Sequence, residues 1–257
     1  MKPPAHLLYL LCATFFGNAY AACEHKTLSV GGITRTGIIC APSSTTAPVP
    51  TVLAFHGRGG NAKEMAVGTR LHEAWPKALV VYLDGLTGNP APYDPEGKKS
   101  GWQINPGDMN DRDVAFTDAT LEALAKHYNI DPRRVFAVGH SNGARFVGIL
   151  WALRSERFAA LAFSAAQADT LIDTAEPRSV FMGMGIKDDV VPFRWQRRSI
   201  KYAASRFGIN PGAIKPGVRR VRNRNGIELV SFIHQGGHIW PDKQTQLIVD
   251  FFKRQNQ

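Results

Sequence analysis

The sequence is poor in the features that would assign it to several large classes of protein. Its three cysteines show no paired-thiolate spacing and its eight histidines are spread along the chain, so no metal or other cofactor is expected. The glycine-rich stretches are not followed by a Lys-Ser/Thr pair at phosphate-loop spacing, which argues against nucleotide binding. Zinc-finger spacing, a helix-turn-helix pattern and an aromatic RNA platform are all missing, so the formal net charge of +10 has no nucleic-acid motif to carry it. Beyond residue 21 no long apolar run is free of charge, and no membrane partner is expected. There is no internal repeat and no disordered tract.

What is present begins with a leader pattern. Residues 1–21, MKPPAHLLYLLCATFFGNAYA, combine Lys2 in a short basic start, an apolar run from Leu7 to Phe16 and a small-x-small end at Ala19-Tyr20-Ala21. This predicts a signal peptide cleaved after Ala21 and a secreted or periplasmic protein. Tyr20 is a poor residue three positions ahead of a lipidated cysteine, which weighs against a lipoprotein anchored at Cys23. Removing 21 of 257 residues leaves 236, enough for a single α/β domain over residues 22–257. Cys23 and Cys40 then remain in an oxidising compartment, where a disulfide between them is expected, tying the mature N-terminus to the end of the first strand. Loss of Lys2 leaves +9, a charge that attracts anionic surfaces or polymers. The densest basic run, VRRVRNRNGIELVSF, places Arg220, Arg222 and Arg224 ahead of an Asn225-Gly226 turn and reads as the wet face of an exposed strand.

Strands and helices alternate along the rest. TLSVGGITRTGIICAP reads as a hairpin; TVLAFHG and KALVVYLDG are strands separated by a helix around Glu64 to Trp75. TDATLEALAKHYNID places Leu121, Leu124 and Tyr128 on one helical face and stops at Asp131-Pro132. RRVFAVG is a strand, ARFVGILWALRSERF a deeply buried helix, FAALAFSAA and RSVFMGMG further strands, the last followed by a helix opening at Pro192. TQLIVDFFKRQ, with Leu247, Ile248, Phe251 and Phe252 at helical spacing, closes the chain. The alternation predicts the α/β class, a mostly parallel central sheet with helices on both faces.

One stretch carries chemistry. VFAVGHSNGARFVG runs from a strand through Gly139-His140-Ser141-Asn142-Gly143 into a helix, which would set Ser141 at the apex of a tight turn with glycines where strand and helix nearly touch. A serine that attacks a carbonyl needs a base to take its proton and a carboxylate to fix the base's tautomer. GMGIKDDVVPF supplies Asp188 and Asp189 after one strand, and Asp188, nearer the strand end, is preferred. VSFIHQGGHIWP supplies His234 within or at the end of its strand and His238 in a glycine-flanked turn; His238 is the better base. AFHGRGGNA follows the first strand of the parallel series, where the backbone N–H of Arg58, joined by that of Asn142, would form an oxyanion hole.

HGRGGN, DPRRVFAVGHSNGARF, GIKDDVVP and GGHIWP, with GWQINPGDMNDRDVAFTDATLEAL between them, resemble the secreted polyhydroxybutyrate-depolymerase-type and feruloyl-esterase-type α/β-hydrolases. Ala144 stands where such proteins often have a further glycine, a departure that touches helix packing more than chemistry. The resemblance implies an α/β-hydrolase fold with Ser141 as nucleophile, Asp188 as acid and His238 as base. It also sets the Gly/Pro-rich segment around Tyr93 and Trp102 near the pocket, where Trp102 and Trp240 would line the acyl or aryl side; packing or loop anchoring is the competing role for each. The implied function is hydrolysis of a small or polymeric ester through an acyl-enzyme, on short hydroxyalkanoate esters or, alternatively, on feruloyl or acetyl groups of plant polysaccharide. A non-catalytic polymer- or carbohydrate-binding protein on the same fold is the reading from another class, and the oligomeric state stays open.

Overall fold

The computed structural model describes residues 22–168, 171, 175–210, 212 and 214–255; the expected leader, residues 1–21, lies outside them. The described chain opens with an antiparallel hairpin, β1 (Ala22–Val30) and β2 (Ile33–Ala41), turning at Gly31-Gly32, both at positive φ. There follow β3 (Val49–Phe55), α1 (Ala62–Thr69), α2 (Leu71–Ala74), β4 (Leu79–Leu83), α3 (Arg112–His127), β5 (Ile130–His140) and α4 (Asn142–Arg154). The second half adds β6 (Ala160–Ser164), β7 (Ser179–Gly185), α5 (Phe193–Arg206), β8 (Gly217–Arg222), β9 (Glu228–His234) and α6 (Asp242–Lys253).

All nine strands join one sheet in the order β1-β2-β4-β3-β5-β6-β7-β9-β8. The six from β4 to β9 are mutually parallel, the β1–β2 hairpin adds antiparallel on one end, and β8 adds antiparallel on the other. The inner strands read as unbroken apolar runs because both faces are covered. On β3, Leu53 and Phe55 join the core under α3, α4 and α5, whereas Val52 and Ala54 join the core under α1, α2 and α6. The same period of two recurs on β4 and β5, where Val81 and Ala137 face one core and Val80 and Phe136 the other. This is the α/β-hydrolase arrangement expected from the sequence.

Strand order places the site. From β3 the chain crosses to β4 on one side and then to β5 on the other, so the carboxyl ends of β3 and β5 open side by side at a topological switch point, where crevices form in such sheets. The loop after β3 carries His56, Gly57 and Arg58, and the turn after β5 carries Ser141.

Two local expectations need correction. The helix expected from Glu64 to Trp75 is two helices, broken at Arg70, whose φ of 49° is left-handed. Thr69 turns its hydroxyl back to the Met65 carbonyl, and its own carbonyl accepts a 2.6 Å bond from the Thr245 hydroxyl of α6, so the broken turn is capped from 176 residues away. The disulfide between Cys23 and Cys40 is present, but it links directly opposed residues of β1 and β2. It staples the edge hairpin to itself and does not tether a loose terminus. Among the described residues no helix is long and apolar enough to cross a membrane.

Candidate active site

Ser141 sits between β5 and α4 at φ 53° and ψ −120°, a conformation that costs a non-glycine residue about 1–3 kcal/mol and persists only where the surroundings enforce it. They do. A Cβ on Gly139 would lie 2.4 Å from the backbone of Gly143 and Ala144, and one on Gly143 would lie 2.2 Å from the Phe55 carbonyl oxygen. Only glycine permits so close an approach of β5, α4 and β3. The Ser141 N–H is tied to the Ser164 carbonyl of β6 at 2.8 Å.

The serine hydroxyl donates to Nε2 of His238 at 2.8 Å, and the opposite ring nitrogen, Nδ1, donates to Oδ2 of Asp188 at 2.8 Å. Asp188 is buried, and its other oxygen accepts the Val190 and Val191 backbone N–H groups at 3.0 and 2.8 Å. Oδ2 takes a further bond from the Gln196 side chain of α5 at 2.8 Å. The carboxylate is therefore held by four donors in one orientation, which fixes the imidazole with its proton on Nδ1 and its lone pair toward the serine. Asp189 is exposed, and His234 uses its Nδ1 to accept the Gly236 N–H at 3.2 Å. His234 and His238 have the spacing of a helical metal pair, yet a glycine turn separates them.

The loops carrying Asp188 and His238 are sewn together. Ile186 and Lys187 after β7 donate to the carbonyls of His234 and Gly236 after β9, each at 3.0 Å. A Cβ at Gly185 would meet the Gly237 carbonyl at 2.4 Å, so the contact depends on glycine there as well.

On the other flank of Ser141, Gly57 approaches so closely that an added Cβ would lie 3.4 Å from the serine Cβ. His56 locks this loop from beneath: its Nδ1 donates to the Gly57 carbonyl at 2.7 Å while its Nε2 accepts the Gly85 N–H at 2.9 Å. Burial pushes the His56 imidazole below its usual pKa, consistent with that neutral double role. The Arg58 guanidinium turns away from the serine into an ion pair with Asp94 at 3.1 Å and a bond to the Asn89 carbonyl at 2.7 Å, both among buried groups. Its backbone N–H and that of Asn142 have no acceptor among the described residues, as donors reserved for a developing oxyanion would.

Trp102 departs from its expected role. It is fully buried, its indole N–H donates to the His56 carbonyl at 3.0 Å, and its ring stacks on Phe146 of α4 at 5.3 Å and meets Phe55 edge-on at 5.1 Å. Buried in this way, it anchors the loop after β3. The Asn142 side chain completes the anchor by pairing with both backbone groups of Trp102, at 2.8 and 3.0 Å. Trp240, half-buried, lines a cleft of about 340 Å³ with His56, Gly57, Arg58, Met65 and His140; Ser141 is not part of its lining. Its indole N–H donates to Thr245 at 2.9 Å.

Four side chains here had no place in the sequence reading. Gln196 steadies Asp188. His140 stands 5.0 Å from the His238 ring, with Nδ1 3.2 Å from Ser164 Oγ, which in turn accepts from Gln244 at 2.8 Å. Burial, and then the neighbouring His238, push the His140 pKa down to about 4. The one sequence signal was position: His140 immediately precedes the serine, whereas Ser164 and Gln244 have no motif around them.

Residues 103–209 match the model of the prolyl oligopeptidase family, a span that takes in Ser141 and Asp188 and stops before His238. The chain is 29% identical over 152 residues to the putative esterase NocK of Nocardia uniformis, covering 56% of this chain and 41% of that one. It is 27% identical over 204 residues to a probable feruloyl esterase C of Aspergillus niger, covering 74% and 70%. This chain thus spans less than half the length of NocK. Among solved structures, a ferulic acid esterase superposes with a TM-score of 0.69 at 13% identity, covering 92% of this chain and 99% of that one. An acetyl xylan esterase from Aspergillus awamori superposes with a TM-score of 0.66 at 14% identity, covering 90% and 99%. The chain thus has the α/β-hydrolase fold and is similar to proteins named as esterases.

Proposed function

We propose that this chain is an exported serine carboxylic-ester hydrolase that acts through Ser141, His238 and Asp188. The observation that carries the reading is the unbroken hydrogen-bond chain from Ser141 Oγ through both nitrogens of His238 to Asp188, 2.8 Å at each step, beneath a serine held in a strained turn. His238 Nε2 takes the proton as Ser141 Oγ bonds to the ester carbonyl carbon. The carbonyl oxygen becomes an oxyanion facing the Arg58 and Asn142 backbone N–H groups. His238 then gives the proton to the departing alkoxide, and an acyl-enzyme remains. Water enters by the same steps in reverse and releases the acid. Asp188 keeps its charge throughout and stabilises the imidazolium.

For substrate, the similarity to probable feruloyl esterases and to an acetyl xylan esterase favours feruloyl or acetyl esters over hydroxyalkanoate esters. The cleft of about 340 Å³ lies at the small end of the roughly 300–1,000 Å³ of small-molecule sites, which suits one short acyl or aryl group. The disulfide suits an oxidising compartment and, with the leader-like residues 1–21, supports export. Initial rates on methyl ferulate, p-nitrophenyl acetate and hydroxybutyrate oligomers, for wild type and Ser141→Ala, test the proposal. The esterase reading expects turnover of at least one ester by wild type only. Equal background rates in both proteins on all three would leave the non-catalytic binding reading. A roughly tenfold advantage in kcat/KM for hydroxybutyrate oligomers, about 1.4 kcal/mol in transition-state binding, would restore the hydroxyalkanoate substrate.

A further inference from the structure

The net charge of this protein is confined to one part of it. Residues 190–227 contain ten Arg and Lys and no Asp or Glu, which equals the formal net charge of +10, so the rest of the chain carries as many acids as bases. All ten side chains are exposed. The segment folds into α5 and β8, next to the sheet edge where β8 has no further strand beside it.

The two elements present their charge differently. On α5, Arg194, Arg197, Arg198 and Lys201 follow i, i+3, i+4, i+7 spacing, one solvent-facing stripe about 10 Å long, while Gln196, Ser199, Ile200, Ala203 and Ala204 face the core. On β8, Arg219 pairs with Ser231 and lies on the face of the sheet that α5 covers, whereas Arg220 and Arg222, paired with Val230 and Glu228, lie on the opposite face. Arg222 is partly neutralised by Glu228 at 3.5 Å. Arginine on an edge strand blocks edge-to-edge pairing, and that alone accounts for β8. It does not account for the α5 stripe, which guards no edge.

The stripe starts at the active site. Gln196, on the turn between Arg194 and Arg197 but facing the core, is one of the four donors that hold the Asp188 carboxylate. Beside it stand Val190 and Trp195, 51% and 40% exposed, with the Arg194 guanidinium 5.3 Å from the Trp195 ring centroid. An exposed indole flanked by cations fits a sugar ring stacked on one side and carboxylates paired on the other.

We propose that α5, with Arg219 of β8 on the same side of the sheet, forms a docking face for a carboxylate-bearing polysaccharide chain, which delivers pendant esters to Ser141. The proposal rests on the esterase reading for its purpose, but its binding test does not depend on catalysis. Retention on polygalacturonate, on neutral arabinoxylan, on a single-stranded oligonucleotide and on phosphatidylglycerol vesicles is measured for wild type and for Arg197→Glu/Lys201→Glu/Arg219→Glu, with methyl ferulate turnover as the independent readout of the site. Wild type is expected to bind polygalacturonate and not arabinoxylan, with affinity falling about tenfold or more between about 10 and 150 mM salt as the screening length shrinks from about 30 to 8 Å. The triple variant is expected to lose about tenfold or more in binding at low salt while its turnover of methyl ferulate stays within about twofold of wild type. Equal polygalacturonate binding by variant and wild type overturns the proposal. So does binding of the oligonucleotide or vesicles as tight as that of polygalacturonate, which would reassign the face to nucleic acid or membrane. Absence of methyl ferulate turnover in wild type counts against the esterase reading and leaves the binding result standing on its own.

Discussion

The two flanks of Ser141 are built in different ways. On the flank of Asp188 and His238, short loops after β7 and β9 are joined by backbone hydrogen bonds, and the Asp188 carboxylate collects four donors, three of them within eight residues of itself. On the oxyanion flank, the short loop after β3 is pinned by a long segment, residues 84–111, that threads Trp102 into the core and closes the buried Arg58–Asp94 pair over it. In the proposed mechanism the first flank holds the groups that move protons. The second holds only backbone, and backbone can be preorganised only by what is packed behind it. The comparison teaches that on one side function depends on particular functional groups, and on the other on volume and burial.

Substitutions on the two flanks should therefore fail in different currencies. The largest effect is expected from Asp188→Asn. The amide leaves the fold intact but no longer enforces the productive tautomer, and kcat on a p-nitrophenyl ester should fall by about 10³–10⁴ with little change in thermal midpoint. Asp189→Asn, at an exposed carboxylate, should stay within about twofold in activity. Equal losses for the two would move the acid to the wrong neighbour. Next comes Trp102→Ala on the oxyanion flank, where loss of a fully buried indole should cost about 3–5 kcal/mol of stability in urea unfolding. Activity measured well below the midpoint should drop in kcat with little change in KM, as expected when transition-state donors lose their alignment. A rise in KM alone would return Trp102 to the substrate wall.

The smallest effect is a pH dependence shared by both flanks. His56 and His140 both have folded pKa values below the ordinary imidazole value, His140 at about 4. The unfolded chain therefore binds protons that the folded one does not as pH falls below about 6.5, and stability present above that value is lost progressively toward about pH 4. Between pH 7 and pH 5 the wild-type unfolding midpoint should fall, and His140→Gln should reduce that fall by flattening the slope. An unchanged slope in His140→Gln would show that this imidazole is not held neutral.

What could be read from the sequence follows the same division. The meeting of Ser141, His238 and Asp188 was legible because a serine nucleophile would require those residue types, glycine marks the tight turn, and their order along the chain suits the fold. The parallel sheet was legible because strands buried on both faces must be apolar throughout. Trp102 was not, since nothing local distinguishes a tryptophan that touches substrate from one that props up the loop touching it. The break at Arg70 was hidden for a related reason: the hydroxyl that caps it belongs to Thr245, far along the chain. Gln196 and Gln244 carry no motif, and their roles appear only when α5 and α6 are docked against the loops they support.

The central claim is that Ser141 is a nucleophile activated by His238, and it can be tested without knowing the substrate. A fluorophosphonate probe reacts with an activated serine and is located by peptide mass spectrometry. The account predicts one adduct per chain, on Ser141, formed rapidly by wild type and by Asp189→Asn, and lost in Ser141→Ala and His238→Ala. Stable, folded wild-type protein that takes up no probe, or takes it up at another residue, would contradict it.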